Sequence, residues 1–330
     1  MGNKSKIVLI SGPTASGKTR FALSIAKKIR GEIINADSMQ VYREFKILTA
    51  RPDIKEQKKI KHHLYGFLSI KKNFSTGEWL KLALKKIKHH LYGFLSIKKN
   101  FSTGEWLKLA LKKIKEIQKK NKIPILVGGT GLYFKVLIDG MVKIPKISIK
   151  KRKYVINLQK KIGQTRFYQE LVKLDPAIKS IINASDVQRS IRAYEVKKFT
   201  KKSLLAWYKN TKPIFINEDF IKIYIDCPRD VLLERINIRT KKMLPGGIKE
   251  VKKIKSIKVP EVNSSNKIIG ITEIKNLLEK KVNKEQTIEN IVIKTRQYAK
   301  RQATWARGKM KNWITVSALD TKLSLKNLFN

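Results

Sequence analysis

Residues 12–19 read Gly-Pro-Thr-Ala-Ser-Gly-Lys-Thr and stand directly behind the apolar run Ile7-Val8-Leu9-Ile10. A glycine turn between a buried strand and a helix points successive backbone N–H groups at one anion, and the helix N-terminus adds partial positive charge there. Gly12, Pro13, Thr14, Ala15, Ser16 and Gly17 make the turn, Lys18 carries a full charge to a phosphate, and the Thr19 hydroxyl is placed to hold a magnesium ion. The chemistry implied is binding of a phosphorylated ligand. The loop alone does not say whether that ligand is a nucleotide.

Three further segments carry residues of the right type. Asn35-Ala36-Asp37-Ser38-Met39-Gln40-Val41-Tyr42 closes a second apolar run. Ligands of open parallel sheets sit outside the carboxyl ends of the strands, so Asp37 is expected in the same crevice as the loop. There it can coordinate magnesium or accept a proton from a nucleophile; capping the next helix is the simpler alternative. A third run enters Gly128-Gly129-Thr130-Gly131-Leu132-Tyr133, where the Thr130 hydroxyl can donate to an anionic or bridging oxygen. Arg189 and Arg192, three residues apart, share a helical face with the means to clamp phosphates, and Gln188 can read a base edge. Residues 295–305 interleave cations with Tyr298 and Trp305, a pattern suited to RNA contact.

The elements that position these residues follow from periodicity. Apolar runs at 6–11, 32–36, 123–127, 221–226 and 313–317 predict five strands, separated by helical patterns. Such alternation predicts an α/β fold, a P-loop NTPase-like parallel sheet flanked by helices. Pro145 and Pro213 bracket a lysine-rich helical stretch, which predicts a core over 1–143, a helical insertion domain over 144–213 and a return to the core over 214–330. Later helices are expected to break around Pro245-Gly246-Gly247 and to be followed by a polar loop at 259–266. Residues 62–88 recur without a difference at 89–115. Each copy opens on two histidines and ends in a capping-box pattern, Ser75 to Glu78 in the first, that predicts a helix over 79–88. Adjacent histidines with no accompanying cysteine or acidic cluster do not make a metal site.

In 330 residues, 74 Lys and Arg stand against 25 Asp and Glu, a net charge of +49. That field attracts polyanions, although heavy use of Lys, Ile and Asn is also what an A+T-rich genome produces. No apolar run is long enough to span a membrane and no signal-peptide pattern precedes the first strand. The lone Cys227 excludes an internal disulfide, and a cytoplasmic protein is expected.

The segments 12–19, 37–42, 49–52, His-His-Leu, 128–133, 186–192 and 295–305, in this order, resemble the tRNA dimethylallyltransferase family. The resemblance implies transfer of a dimethylallyl group from its pyrophosphate to the exocyclic amine of an adenosine beside the anticodon, with tRNA and dimethylallyl pyrophosphate as partners, Mg2+ as cofactor and a monomer as the acting form. It casts Lys18 and a Thr19-bound magnesium as holders of the pyrophosphate and Asp37 as the proton acceptor. Thr130 would either bond the bridging oxygen or orient the nucleophile. Asp37, Ser38, Met39, Gln40, Thr130, Arg152, Gln188, Arg189, Ser190, Ile191 and Arg192 would contact the tRNA. The sequence departs from the family pattern at Arg51, where a lysine is usual, at 268–273, where a lysine is lost, and in its second copy of the His-His-Leu unit. The competing readings are a P-loop small-molecule kinase, a prenyltransferase acting on free adenine nucleotides, and a tRNA-binding protein inactivated by the duplication.

Overall fold

Every residue of Ile7–Ser11 is buried, as a strand of Ile, Val and Leu requires when helices cover both faces of its sheet. The computed structural model describes residues 6–53, 60–65, 102–255 and 264–329. Its elements run β1 (Ile7–Ser11), α1 (Lys18–Lys28), β2 (Gly31–Asn35), β3 (His62–His63), α2 (Thr103–Gln118), β4 (Ile123–Gly128) and α3 (Gly131–Ile138). They continue with α4 (Ile149–Leu174), α5 (Val187–Thr200), α6 (Leu204–Lys209), β5 (Phe220–Asp226), α7 (Arg229–Lys255), α8 (Ile271–Leu278), α9 (Lys284–Lys309), β6 (Ile314–Ser317) and α10 (Thr321–Phe329). Contacts divide the chain into two units, 1–136 with 216–330, and 137–215.

The first unit is built on one parallel sheet of order β3-β2-β4-β1-β5-β6. Val8, Ile10, Ile125, Ile223 and Phe21 meet in its core. Five of the six strands are those expected from the apolar runs. The sixth, β3, is two histidines at the sheet edge, paired Ile33↔His62 and Ile34↔His63. Its anchor is the buried Glu32, whose carboxylate meets His63 Nε2 at 2.7 Å and Lys122 Nζ at 3.0 Å. Burial pushes His63 down to about 4, so it is neutral near pH 7. Burial also pushes the Glu32 carboxyl up, but the hydrogen bonds and charges of His63 and Lys122 outweigh it and hold Glu32 low.

The duplicated segment contributes in two pieces. Residues 62–65 of the first copy form β3 and the turn after it, whereas α2 begins in the second copy. Ser102 caps α2 by accepting the Glu105 N–H at 3.2 Å, and Glu105 returns the bond to the Ser102 N–H at 2.8 Å. The first copy's expected helix, 79–88, lies outside the described residues, as do 259–263 of the expected polar loop; Ser264–Lys267 is a 3₁₀ turn.

One expected break is absent. α7 runs through Pro245, although proline removes a backbone donor. Docking holds it: Glu250, one turn on, accepts the N–H groups of Ile47 at 2.7 Å and Leu48 at 3.1 Å, and Ile47 and Leu48 pack on Gly246 and Gly247.

The second unit is helical, with Val155, Phe167, Leu171, Ala193 and Val196 buried between α4 and α5.

Candidate active site

β1 delivers the phosphate loop to the carboxyl edge of the sheet. Gly17, at φ 89°, closes the turn in a left-handed conformation that side-chain-bearing residues adopt only with strain. No side chain caps α1, which leaves its first N–H groups to an anion. Lys18 Nζ donates to the Pro13 carbonyl at 2.6 Å. Burial pushes Lys18 down to about 8, with Asp37 opposing the fall and Arg239 adding to it.

β2 ends at Asn35 and β4 at Gly128, and these two ends touch. A Cβ on Gly128 would lie 2.0 Å from the Ala36 carbonyl oxygen, so only glycine permits the approach. The Ser38 N–H donates to Thr130 Oγ1 at 3.0 Å, and the Thr130 hydroxyl donates to Ser38 Oγ at 3.3 Å. Asp37 Oδ1 accepts the Met39 N–H at 2.8 Å, and Gln40 Nε2 donates to the Thr49 carbonyl at 2.9 Å. A cavity of about 390 Å³ opens here, bordered by Thr14, Lys18, Thr19, Asp37, Gln40 and Gly128. The phosphate loop and the carboxylate that the sequence placed in one crevice therefore share one.

Several residues of this site go beyond those expected from the sequence. Arg235 and Arg239, one turn apart on α7, also line the cavity, and Arg239 Nη1 donates to Thr14 Oγ1 at 3.1 Å. Burial lowers the pKa of Arg239 while the Asp37 charge raises it. Gln302 on α9 accepts the Thr14 N–H at 2.8 Å and donates to the Gly129 carbonyl at 2.9 Å. Tyr65, from the first copy of the duplicated unit, is buried against the same cavity. The signal for the arginines was available: an i, i+4 pair on the helix leaving β5 must start at the same sheet edge as the phosphate loop.

Tyr298 and Trp305, half-buried, also have partners within the chain. Tyr298 hydrogen-bonds Thr130 and Gln302, and burial and then Asp37 push its hydroxyl pKa up. Trp305 packs directly on Gly131. Arg296, Gln297, Lys300 and Arg301 of the same helix are exposed.

In the helical unit, Asp186 caps α5 by accepting the Arg189 N–H at 3.0 Å and pairs with the Arg189 guanidinium at 3.2 Å. Arg152 and Arg192 converge on the buried Glu195, at 3.0 and 3.1 Å, with part of each guanidinium side chain still exposed. Gln188 and Arg189 are exposed. Ser190, expected to touch tRNA, is fully buried beside Gln164, and Ile191 packs on the unit's core, because both lie on the inward face of α5.

A phosphate-binding loop, a carboxylate and two arginines around one cavity at the carboxyl edge of a parallel sheet define a P-loop protein that handles a phosphorylated ligand. The IPP transferase family model matches residues 40–88 and 83–309, two stretches that overlap inside the duplicated segment. The chain is 52% identical over 329 residues to a tRNA dimethylallyltransferase of Pelagibacter ubique, covering 99% of this chain and 96% of that one. It is 38% identical to one of Rickettsia canadensis, covering 95% and 89%. Among solved structures, a tRNA isopentenylpyrophosphate transferase of Bacillus halodurans is 30% identical with a TM-score of 0.65, over 99% of this chain and 95% of that one. A eukaryotic dimethylallyltransferase solved acting on tRNA is 26% identical with a TM-score of 0.75, over 98% and 76%. The chain belongs to the IPP transferase family.

Proposed function

We propose that this chain transfers a dimethylallyl group from dimethylallyl pyrophosphate to the exocyclic N6 amine of the adenosine 3′-adjacent to the anticodon, in tRNAs reading codons that start with U, with release of pyrophosphate. The observation that carries the reading is the single cavity shared by Lys18, Arg239 and Asp37, in a chain 52% identical to a tRNA dimethylallyltransferase. In the transfer, the bond from the allylic carbon to the pyrophosphate oxygen breaks and its electron pair leaves with pyrophosphate. The N–H groups of the phosphate loop, Lys18 and Arg239 stabilise that growing charge. The N6 lone pair forms the new carbon–nitrogen bond, and Asp37 takes the proton that N6 gives up. Thr130, hydrogen-bonded to Ser38 and Tyr298, orients the amine.

Thr19 offers one hydroxyl to the cavity, a hard oxygen that Mg2+ would take together with substrate phosphates. Bound there, the ion supplies further neutralisation of pyrophosphate charge. No group of three or more His, Cys, Asp or Glu among the described residues forms a metal cage. The adenosine leaves its stack to reach Asp37, with Ser38, Met39 and Gln40 lining its path and Arg152, Gln188, Arg189 and Arg192 on the anticodon stem-loop. The reading includes a monomer acting in the cytoplasm; no helix among the described residues is long and apolar enough to cross a membrane.

The test is transfer of labelled dimethylallyl from its pyrophosphate to an anticodon stem-loop, beside AMP as acceptor and beside Asp37→Asn. Label in the stem-loop with the unaltered chain alone is the expected result. Label in AMP would move the reading to free adenine nucleotides, and none in either would end it.

A further inference from the structure

Asn35 is fully buried at the end of β2, two residues before Asp37. Its Oδ1 accepts the Asp37 N–H at 2.9 Å, and its Nδ2 donates to the Asp37 carbonyl at 2.9 Å. One side chain therefore grips both peptide units that flank Asp37. The second Nδ2 proton goes to the Leu64 carbonyl at 3.0 Å, and the Asn35 carbonyl accepts the Trp106 indole N–H at 2.8 Å. Leu64 comes from the first copy of the duplicated unit and Trp106 from the second. Trp106 is itself buried and stacked on Tyr133, ring centroids 4.2 Å apart. Asp37 Oδ1 is held by the Met39 N–H, which leaves Oδ2 as the oxygen outside that turn.

We infer that Asn35 is a positioning residue for the transfer: it holds the main chain of Asp37 so that the free carboxylate oxygen meets the amine, and it draws that hold from both copies of the duplicated unit. Asn35 touches no phosphate-loop residue in these hydrogen bonds, so pyrophosphate binding does not depend on it. A carboxamide is the right group, since it presents two donors and an acceptor in one plane. Aspartate in its place would set a charge against two carbonyl oxygens, and leucine would leave three backbone groups without these partners, the buried Leu64 carbonyl among them.

The inference rests on the proposed transfer reaction, and the experiment separates the two. Rates are measured for the unaltered chain, Asn35→Ala, Asp37→Asn and the double variant, with melting curves for each. Displacement of a reacting group by about 1 Å can cost about a hundredfold in rate. Asn35→Ala is expected to lower kcat by about that factor with the KM for dimethylallyl pyrophosphate unchanged. In the Asp37→Asn background the same change should cost less than about threefold, because two residues acting through one step are not additive. Trp106→Phe, which keeps the stacked ring and loses the indole donor, should lower kcat in the same selective way; it serves as the second probe where Asn35→Ala does not fold. An additive double variant, or a rise in KM with kcat intact, overturns the inference while leaving the reaction standing. Absence of transfer by the unaltered chain strikes the reaction instead.

Discussion

Gln302 accepts the Thr14 backbone N–H at 2.8 Å, across 288 residues of sequence, and its amide donates to the Gly129 carbonyl at 2.9 Å. One side chain thus fastens the phosphate loop to the end of β4. Each bond is worth about 1 kcal/mol net, and loss of both frees the loop proposed to hold pyrophosphate. Gln302→Ala is expected to raise the KM for dimethylallyl pyrophosphate by about tenfold. Gln302→Glu keeps the acceptor for Thr14 but adds a negative charge beside the pyrophosphate, and should be worse. Steady-state kinetics decide it; an unchanged KM in Gln302→Ala would remove the side chain from the loop's support.

The Lys18 amine has an unperturbed pKa near 10.5 and is pushed down to about 8, chiefly by burial. In the substrate-free chain it therefore loses its proton as pH rises through about 8, and a neutral amine attracts pyrophosphate poorly. The bound pyrophosphate favours the charged form and moves the titration upward. The expected profile is kcat/KM for dimethylallyl pyrophosphate falling above pH about 8, with kcat level to higher pH. A kcat/KM that stays flat to pH 10 would mean that Lys18 keeps its charge without substrate.

The residues already placed by the sequence are those whose chemistry is local. The loop 12–19 is a contiguous spacing that folds the same way wherever strand and helix flank it, and Asp37 and Thr130 follow strands that periodicity locates. β3 escaped because two histidines carry no strand signal; its pairing comes from Glu32, one strand away. Arg239 meets Thr14 across 225 residues, which no window of sequence contains. The motif around Ser190 points it outward, yet the face of α5 that packs on α4 includes it. Pro245 is a helix breaker by local preference, and docking through Glu250 overrides it.

Arg239 lines the cavity with Lys18 and donates to Thr14, on the side where the proposed transfer releases pyrophosphate. A hydrogen bond to a charged partner is worth about 1.5–3 kcal/mol, so Arg239→Ala is expected to lower kcat/KM by one to two orders of magnitude. Arg239→Lys keeps the charge but loses the planar fork that can hold Thr14 and a phosphate oxygen together, and should recover only part of the rate. Binding of inorganic pyrophosphate, followed by calorimetry, should weaken in the same order. Equal affinity in all three proteins would exclude the contact.

Deleting residues 66–92 yields a chain with one copy of the duplicated unit, and it joins Tyr65 directly to Gly93. The same protein results from deleting 62–88 or 89–115, since the copies are identical. Every hydrogen bond of Asn35, His63 and Trp106 described above is retained, because 62–65 and α2 both remain. The stretch between Tyr65 and Ser102 shortens about fourfold. The shortened chain is expected to keep its transfer rate, and its midpoint in urea reads what the removed residues contribute to stability. A lower midpoint would show that the removed residues contribute packing of their own. A higher transfer rate at equal stability would show instead that the removed residues restrain the site.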